Sequence, residues 1–194
     1  MKKDLSGMSL KELWELFPVI LKEHNPLYKE WYESEVRLLS ACISKDDMKR
    51  VSHIGSSAVE GLISKPIVDI LMEVGNNCHA GNLIKNLKNN GWRLMSSRYE
   101  PVFHLVFNKG YTENGYAEKV YHLHVRHIGD WDELYFRDYL GGHPDVASLY
   151  GKLKLKLGKD YEHDRDGYTE AKKEFIMRHT EKAKVEYAGR YSPQ

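Results

Sequence analysis

Residues 67–74, IVDILMEV, constrain the fold more than any other stretch of the chain. A half-exposed strand alternates apolar and polar positions. A short run this continuously apolar is a strand covered on both faces. It stops at Gly75-Asn76-Asn77, a turn signal. Helices must therefore cover the sheet to which it belongs. Asp69 is the residue that needs a reason, because a carboxylate inside such a strand is costly unless paired, hydrogen-bonded or ligated.

The flanking periodicities supply those helices. Leu10, Leu13, Trp14, Phe17 and Leu21 keep helical spacing, interrupted by Pro18. Asn25-Pro26 reads as an N-cap and first helical residue, followed by an amphipathic pattern through Trp31, Glu35, Leu39 and Ile43. Further strands are expected at 50–54, 92–95, 102–107 and 119–126, with a turn at Asn114-Gly115. Leu83, Ile84 and Leu87 mark a helix closed by Gly91. Asp130 and Glu133 have capping-box spacing, opening a helix that ends near Gly141-Gly142. His143-Pro144 opens another to about residue 157, and a last helix covers 168–183, leaving a loose GRYSPQ tail. The expected fold is α+β, one domain over 1–194, with N-terminal helices at about 10–45 and C-terminal helices at about 130–187. There is no internal repeat, low-complexity tract or linker.

Composition narrows the function classes. A chain of 194 residues, 41% hydrophobic, can bury a core. Lys plus Arg is 29 and Asp plus Glu 28, which argues against a surface built to coat nucleic acid or membrane. A local basic pocket is compatible with that balance. Cys42 and Cys78 read as incidental reduced thiols. With no apolar leader and no apolar run near ~20 residues, the expected address is the cytoplasm.

The segment before Asp69 carries chemistry. In HIGSSAVEGLISKPIVDI, residues 53–70, Gly55 permits close backbone approach to a ligand. Ser56 and Ser57 offer hydroxyls and N–H groups that suit phosphate oxygens, and Lys65 is a further phosphate contact. Asp69 is placed to hold Mg²⁺, which favours one or two carboxylates plus substrate phosphates. Ordinary turn chemistry, a solvated Lys65 and a structural Asp69 paired with Lys65 or an amide are the alternatives.

Two other groups could join it. His122 and His124 in YHLHV project from one strand face, where they could bind a transition metal, act as acid and base, or simply bond their neighbours. His53 precedes the turn and could orient it; His24, His79, His127, His163 and His179 read as surface. Arg137, Lys154 and Lys172 could neutralise phosphates, and Tyr168 could stack on a base. Solvated helix faces with local ion pairs are the alternative.

The spacing from Ile54-Gly55-Ser56 to Asp69-Ile70 resembles the signature of the nucleotidyltransferase superfamily. More narrowly, HIGSSAVEGLISKPIVDI, YHLHV, LYFRDYLGGHPDVASLYGKLK, DRDGYTEAKKEFI and HNPLYKEWYESEVRLL resemble the GrpB family. The resemblance implies a nucleotidyltransferase-like small mixed sheet flanked by helices. It implies a nucleoside triphosphate substrate, an acceptor the residues do not name, and a divalent metal, Mg²⁺ or Mn²⁺ with Zn²⁺ as the alternative. Asp69, His122 and His124 would hold the metal. Gly55, Ser56, Ser57, Lys65, Arg137, Lys154, Tyr168 and Lys172 would hold the nucleotide. The chain departs from the superfamily pattern at Leu71, where a second acid would share the face of Asp69. Glu73 shares that face but stands about two strand rises of ~3.3 Å beyond Leu71. Three functions stay open: metal-dependent nucleotidyl transfer, a non-catalytic module binding a nucleotide or other phosphate ligand, and an Asp/His/His metal-dependent hydrolase. The sequence sets no oligomeric state.

Overall fold

The computed structural model describes residues 4–193. Its elements are α1 (Leu10–Leu16), α2 (Tyr28–Cys42), β1 (Met48–Ile54), β2 (Val68–Val74), α3 (Ala80–Asn89), β3 (Arg93–Arg98), β4 (His104–Thr112), β5 (Gly115–His127), α4 (Asp132–Gly142), α5 (Pro144–Asp160), α6 (Arg165–Glu170) and α7 (Lys173–Glu186). The strands form one mixed sheet in the order β1-β2-β5-β4-β3. Among the described residues only β2 and β5 run parallel; the other neighbours are antiparallel.

The period-2 geometry of β2 divides its side chains between two unlike environments. Val68, Ile70, Met72 and Val74 enter the main core with Tyr28, Trp31 and Leu39 of α2, Leu83 and Leu87 of α3, and Leu123 and Val125 of β5. Each such fully buried aliphatic side chain contributes on the order of 1.5–3 kcal/mol. Asp69, Leu71 and Glu73 take the other face, where Leu71 packs on Ile54 and on Leu134 of α4. The parallel register sets Asp69 beside His122, Leu71 beside His124 and Glu73 beside Arg126. A second core joins Val59 and Leu62, in the loop after β1, to α4, α5 and α7 through Tyr139, Tyr150 and Ala183. It draws these helices over the Asp69 end of the sheet.

Several local expectations give way to other bonds. Asn25 and Pro26 form a turn ahead of α2, with Asn25 Oδ1 accepting from the Leu27 N–H at 3.0 Å; Leu27 is the N-cap. The Asp130–Glu133 capping box does not form. Asp130 accepts from the Tyr135 hydroxyl at 2.6 Å, and Glu133 is drawn to Arg126 at 2.6 Å. The helix expected over 168–183 is two helices, because the Asp164 carboxylate caps an earlier start by accepting from the Gly167 N–H at 2.8 Å. The tail is anchored: the Tyr191 hydroxyl bonds Asp138 and Arg137. His179 is buried against Phe175, with ring centroids 4.1 Å apart, not at the surface.

Candidate phosphate-ligand site

Antiparallel pairing of β1 with β2 sets Ile54 opposite Asp69, so the turn after β1 lies against the carboxylate. Gly55 has φ +70°, and a Cβ there would lie 2.5 Å from Asp69 Oδ2. Glycine is required on both counts. A single 3-10 turn, Ser56–Ala58, follows. His53 braces it from behind: its Nε2 lies 3.1 Å from Ser57 Oγ, and its ring stacks on Tyr32 at 4.9 Å. Burial lowers the His53 pKa to about 4, so the imidazole is neutral at physiological pH.

Three lysines line the cavity beside this turn. Lys154 of α5 is 2% exposed. Its Nζ donates to Ser56 Oγ at 2.8 Å and to the Ile63 carbonyl. Lys172, at the junction of α6 and α7, sets its Nζ 4.0 Å from the centre of the Tyr168 ring; Lys65 approaches that ring at 5.7 Å. Burial, reinforced by neighbouring positive charge, lowers Lys154 and Lys172 to about 7. It lowers Lys65 too, with Arg165 adding to the effect and Asp69 opposing it. None of the three makes a salt bridge among the described residues. The cavity they line has a volume of about 460 Å³ and also includes Gly55, Ser56, Ser57, Asp69, His124, Tyr150 and Tyr168.

Asp69 ends a chain of bonds. Its Oδ1 lies 3.1 Å from His122 Nδ1; His122 Nε2 lies 2.7 Å from the Tyr111 hydroxyl, to which Arg165 donates at 3.2 Å. Burial pushes the Asp69 carboxyl up. The His122 hydrogen bond and the His122, His124 and Lys65 charges outweigh it and hold the pKa below the usual carboxylate range. His124 faces His104, Nδ1 to Nε2 at 3.4 Å, and burial lowers its pKa to about 4.

The donor set does not fit a divalent metal. Leu71 is fully buried in an apolar contact. Glu73 is committed to Arg50 at 2.7 Å and to the Gly129 N–H at 3.0 Å. Asp69 and His122 bond each other, and His124 turns to His104. No group of three or more His, Cys, Asp or Glu side chains among the described residues is disposed to hold a metal ion.

Nine of the residues singled out from sequence line the cavity: Gly55, Ser56, Ser57, Lys65, Asp69, His124, Lys154, Tyr168 and Lys172. His122 lies behind Asp69, off the cavity wall. Arg137 does not line this cavity. Its guanidinium donates to the His53 carbonyl at 2.9 Å, to its neighbour Asp138 at 2.7 Å and to the Tyr191 hydroxyl at 2.8 Å. Sequence reasoning missed Tyr150, whose ring Lys154 Nζ approaches at 4.6 Å; the four-residue spacing on one helix was the available signal. It also missed Tyr111 and Arg165, which carry no local signal. No helix among the described residues is long and apolar enough to cross a membrane.

A family model described as GrpB protein matches residues 18–182. The Glutamate-rich protein GrpB of Alkalihalophilus pseudofirmus is 34% identical over 171 residues, covering 81% of this chain and 91% of its own. The crystal structure of conserved protein GrpB from Enterococcus faecalis matches with a TM-score of 0.75 at 27% identity, over 87% of this chain and 99% of that one. A structure of Cid1 poly(U) polymerase with bound MgGTP aligns at 13% identity and a TM-score of 0.48, over 78% of this chain and 46% of that one.

Proposed function

The chain belongs to the GrpB family, and from that premise we propose that its cavity binds a phosphorylated small molecule, with a nucleoside triphosphate as the leading class. Lysines, not a metal ion, neutralise the phosphates in this reading. The observation that carries it is that Lys65, Lys154 and Lys172 line one cavity with the Gly55-Ser56-Ser57 turn, Lys154 bonding Ser56, and none makes a salt bridge among the described residues. Cationic lysines in a desolvated cavity are unfavourable, the Asp69 carboxylate on the same wall offsets this only in part, and a phosphate chain supplies further counter-charge. The volume of about 460 Å³ falls among cavities that hold whole small-molecule ligands, about 300–1,000 Å³. Gly55 lets the backbone approach phosphate oxygens, while Ser56 and Ser57 offer hydroxyls.

A second reading, metal-dependent nucleotidyl transfer to an unidentified acceptor, is favoured by one observation: an ionised Asp69 on the cavity wall beside the turn. The hydrolase reading needs Asp69, His122 and His124 as a ligand set, which the bonding described above opposes. One calorimetric series separates the first two. ATP, GTP, CTP, UTP and tripolyphosphate are titrated in chelator and then with Mg²⁺ or Mn²⁺, against the wild type and Asp69→Asn. Binding that persists in chelator and survives Asp69→Asn supports the lysine site. Binding that needs the metal and disappears in Asp69→Asn replaces it with the transfer reading. Absence of binding by all five compounds removes both.

A further inference from the structure

The three lysines do not account for the whole cavity wall. Phe136 of α4 and Ile176 and Met177 of α7 present apolar surface there. Thr180, one turn further along α7, lines the same cavity. It is 5% exposed, and its Oγ1 has no hydrogen-bond partner among the described residues. A helical threonine ordinarily satisfies its hydroxyl on the carbonyl four residues back. An orphaned hydroxyl at this depth is unfavourable for the free protein. Phosphate recognition gives no use for it, since the lysines and the serine turn supply those contacts. An apolar patch with a buried hydroxyl, bordered by Asp132 and Glu133 whose charges are engaged by Lys184 and Arg126, suits a flat heteroaromatic ring, which buries its faces and bonds through an edge nitrogen or carbonyl.

Resting on the phosphate-ligand reading above, we propose that Thr180 determines specificity for the non-phosphate end of the ligand, bonding the edge of a nucleobase seated against Phe136, Ile176 and Met177. The hydroxyl serves the bound ligand and not the fold. Thr180→Val is near-isosteric and removes only the polar atom; Thr180→Ser keeps it. The four nucleotides and tripolyphosphate are titrated against the full-length wild type and both variants, with thermal denaturation of the free proteins alongside. The expected result is a loss of about five- to tenfold in nucleotide affinity for Thr180→Val, the size of one neutral hydrogen bond. Tripolyphosphate affinity stays unchanged, Thr180→Ser stays near wild type, and the melting temperature of Thr180→Val is equal or higher. Equal nucleotide affinity in wild type and Thr180→Val overturns the proposal. So does an equal loss for nucleotides and tripolyphosphate, or a lower melting temperature, which would show that the hydroxyl serves the fold. A wild type that binds tripolyphosphate but no nucleotide defeats the base contact and leaves the phosphate site standing. A wild type that binds neither defeats both.

Discussion

Lys154 and Gly55 are the two positions where a single atom matters most. Lys154 Nζ is tied to Ser56 and to the Ile63 carbonyl, so its charge is held at a fixed point beside the turn. Replacing it by methionine keeps the stem and removes the charge. Nucleotide affinity should fall about 10- to 100-fold, as for one charged hydrogen bond. Titration calorimetry reads this directly, and undiminished affinity would mean that the lysine does not touch the ligand. Gly55→Ala puts a methyl group into Asp69 Oδ2 and forces an unfavourable φ. The expected cost is about 1–3 kcal/mol by urea unfolding. Part of that cost should vanish when Asp69 is also alanine, because the clash is between these two residues. The relation of Gly55-Ser56 to Asp69 was legible because a strand, a turn and a return strand fix it locally. The place of Arg137 was not: its acidic neighbour Asp138 and the distant Tyr191 hold the guanidinium.

Among the elements, β2 shows how one strand serves both the fold and the site. One face builds the main core; the other carries Asp69 to the cavity and the buried Glu73 to an ion pair with the partly exposed Arg50. Arg50→Met leaves the Glu73 carboxylate without its counter-charge and should destabilise the protein by about 3–5 kcal/mol. Arg50→Met with Glu73→Leu should recover most of that loss, because no charge is then stranded. Urea unfolding of the two variants checks this; equal losses in the single and double variants would refute it. Helix boundaries were the least legible feature. Propensity and caps act over a few residues, whereas Glu133 and Asp130 were claimed by Arg126 and Tyr135. A local cap loses to a partner that packing brings closer.

For the molecule as a whole, the buried lysines link protonation to both stability and binding. Their ordinary value is 10.5, and Lys154 and Lys172 sit at about 7 in the folded protein. Above pH 7 the unfolded chain therefore holds protons that the folded protein has lost, and stability rises with pH. Below pH 7 both states are charged at these positions, and the full cost of burying the charge remains. Unfolding at pH 7, 8 and 9 should show increasing stability, a range below the titration of the buried tyrosines, which burial raises. A flat or falling profile would contradict it. An anionic ligand reverses the preference by restoring the lysine charge. Nucleotide binding at pH 8 should take up protons, seen as a binding enthalpy that depends on buffer ionisation. At one hundred times the dissociation constant, ligand adds about 2.7 kcal/mol. For a chain of this length that raises the melting temperature by roughly 5–10 °C.

The amino-acid order alone was enough for the sheet-and-helix class, the two faces of β2 and the small-residue bend beside Asp69. All three follow from period and turn chemistry, which act between near neighbours. Assembly of the cationic cavity was beyond it. Lys154 reaches Ser56 across 98 positions of chain, and no spacing rule spans that distance. Close packing of α4, α5 and α7 on the loop after β1 brings the lysines in, while Arg137 and Glu73 are held outside the cavity by partners nearer to them in space.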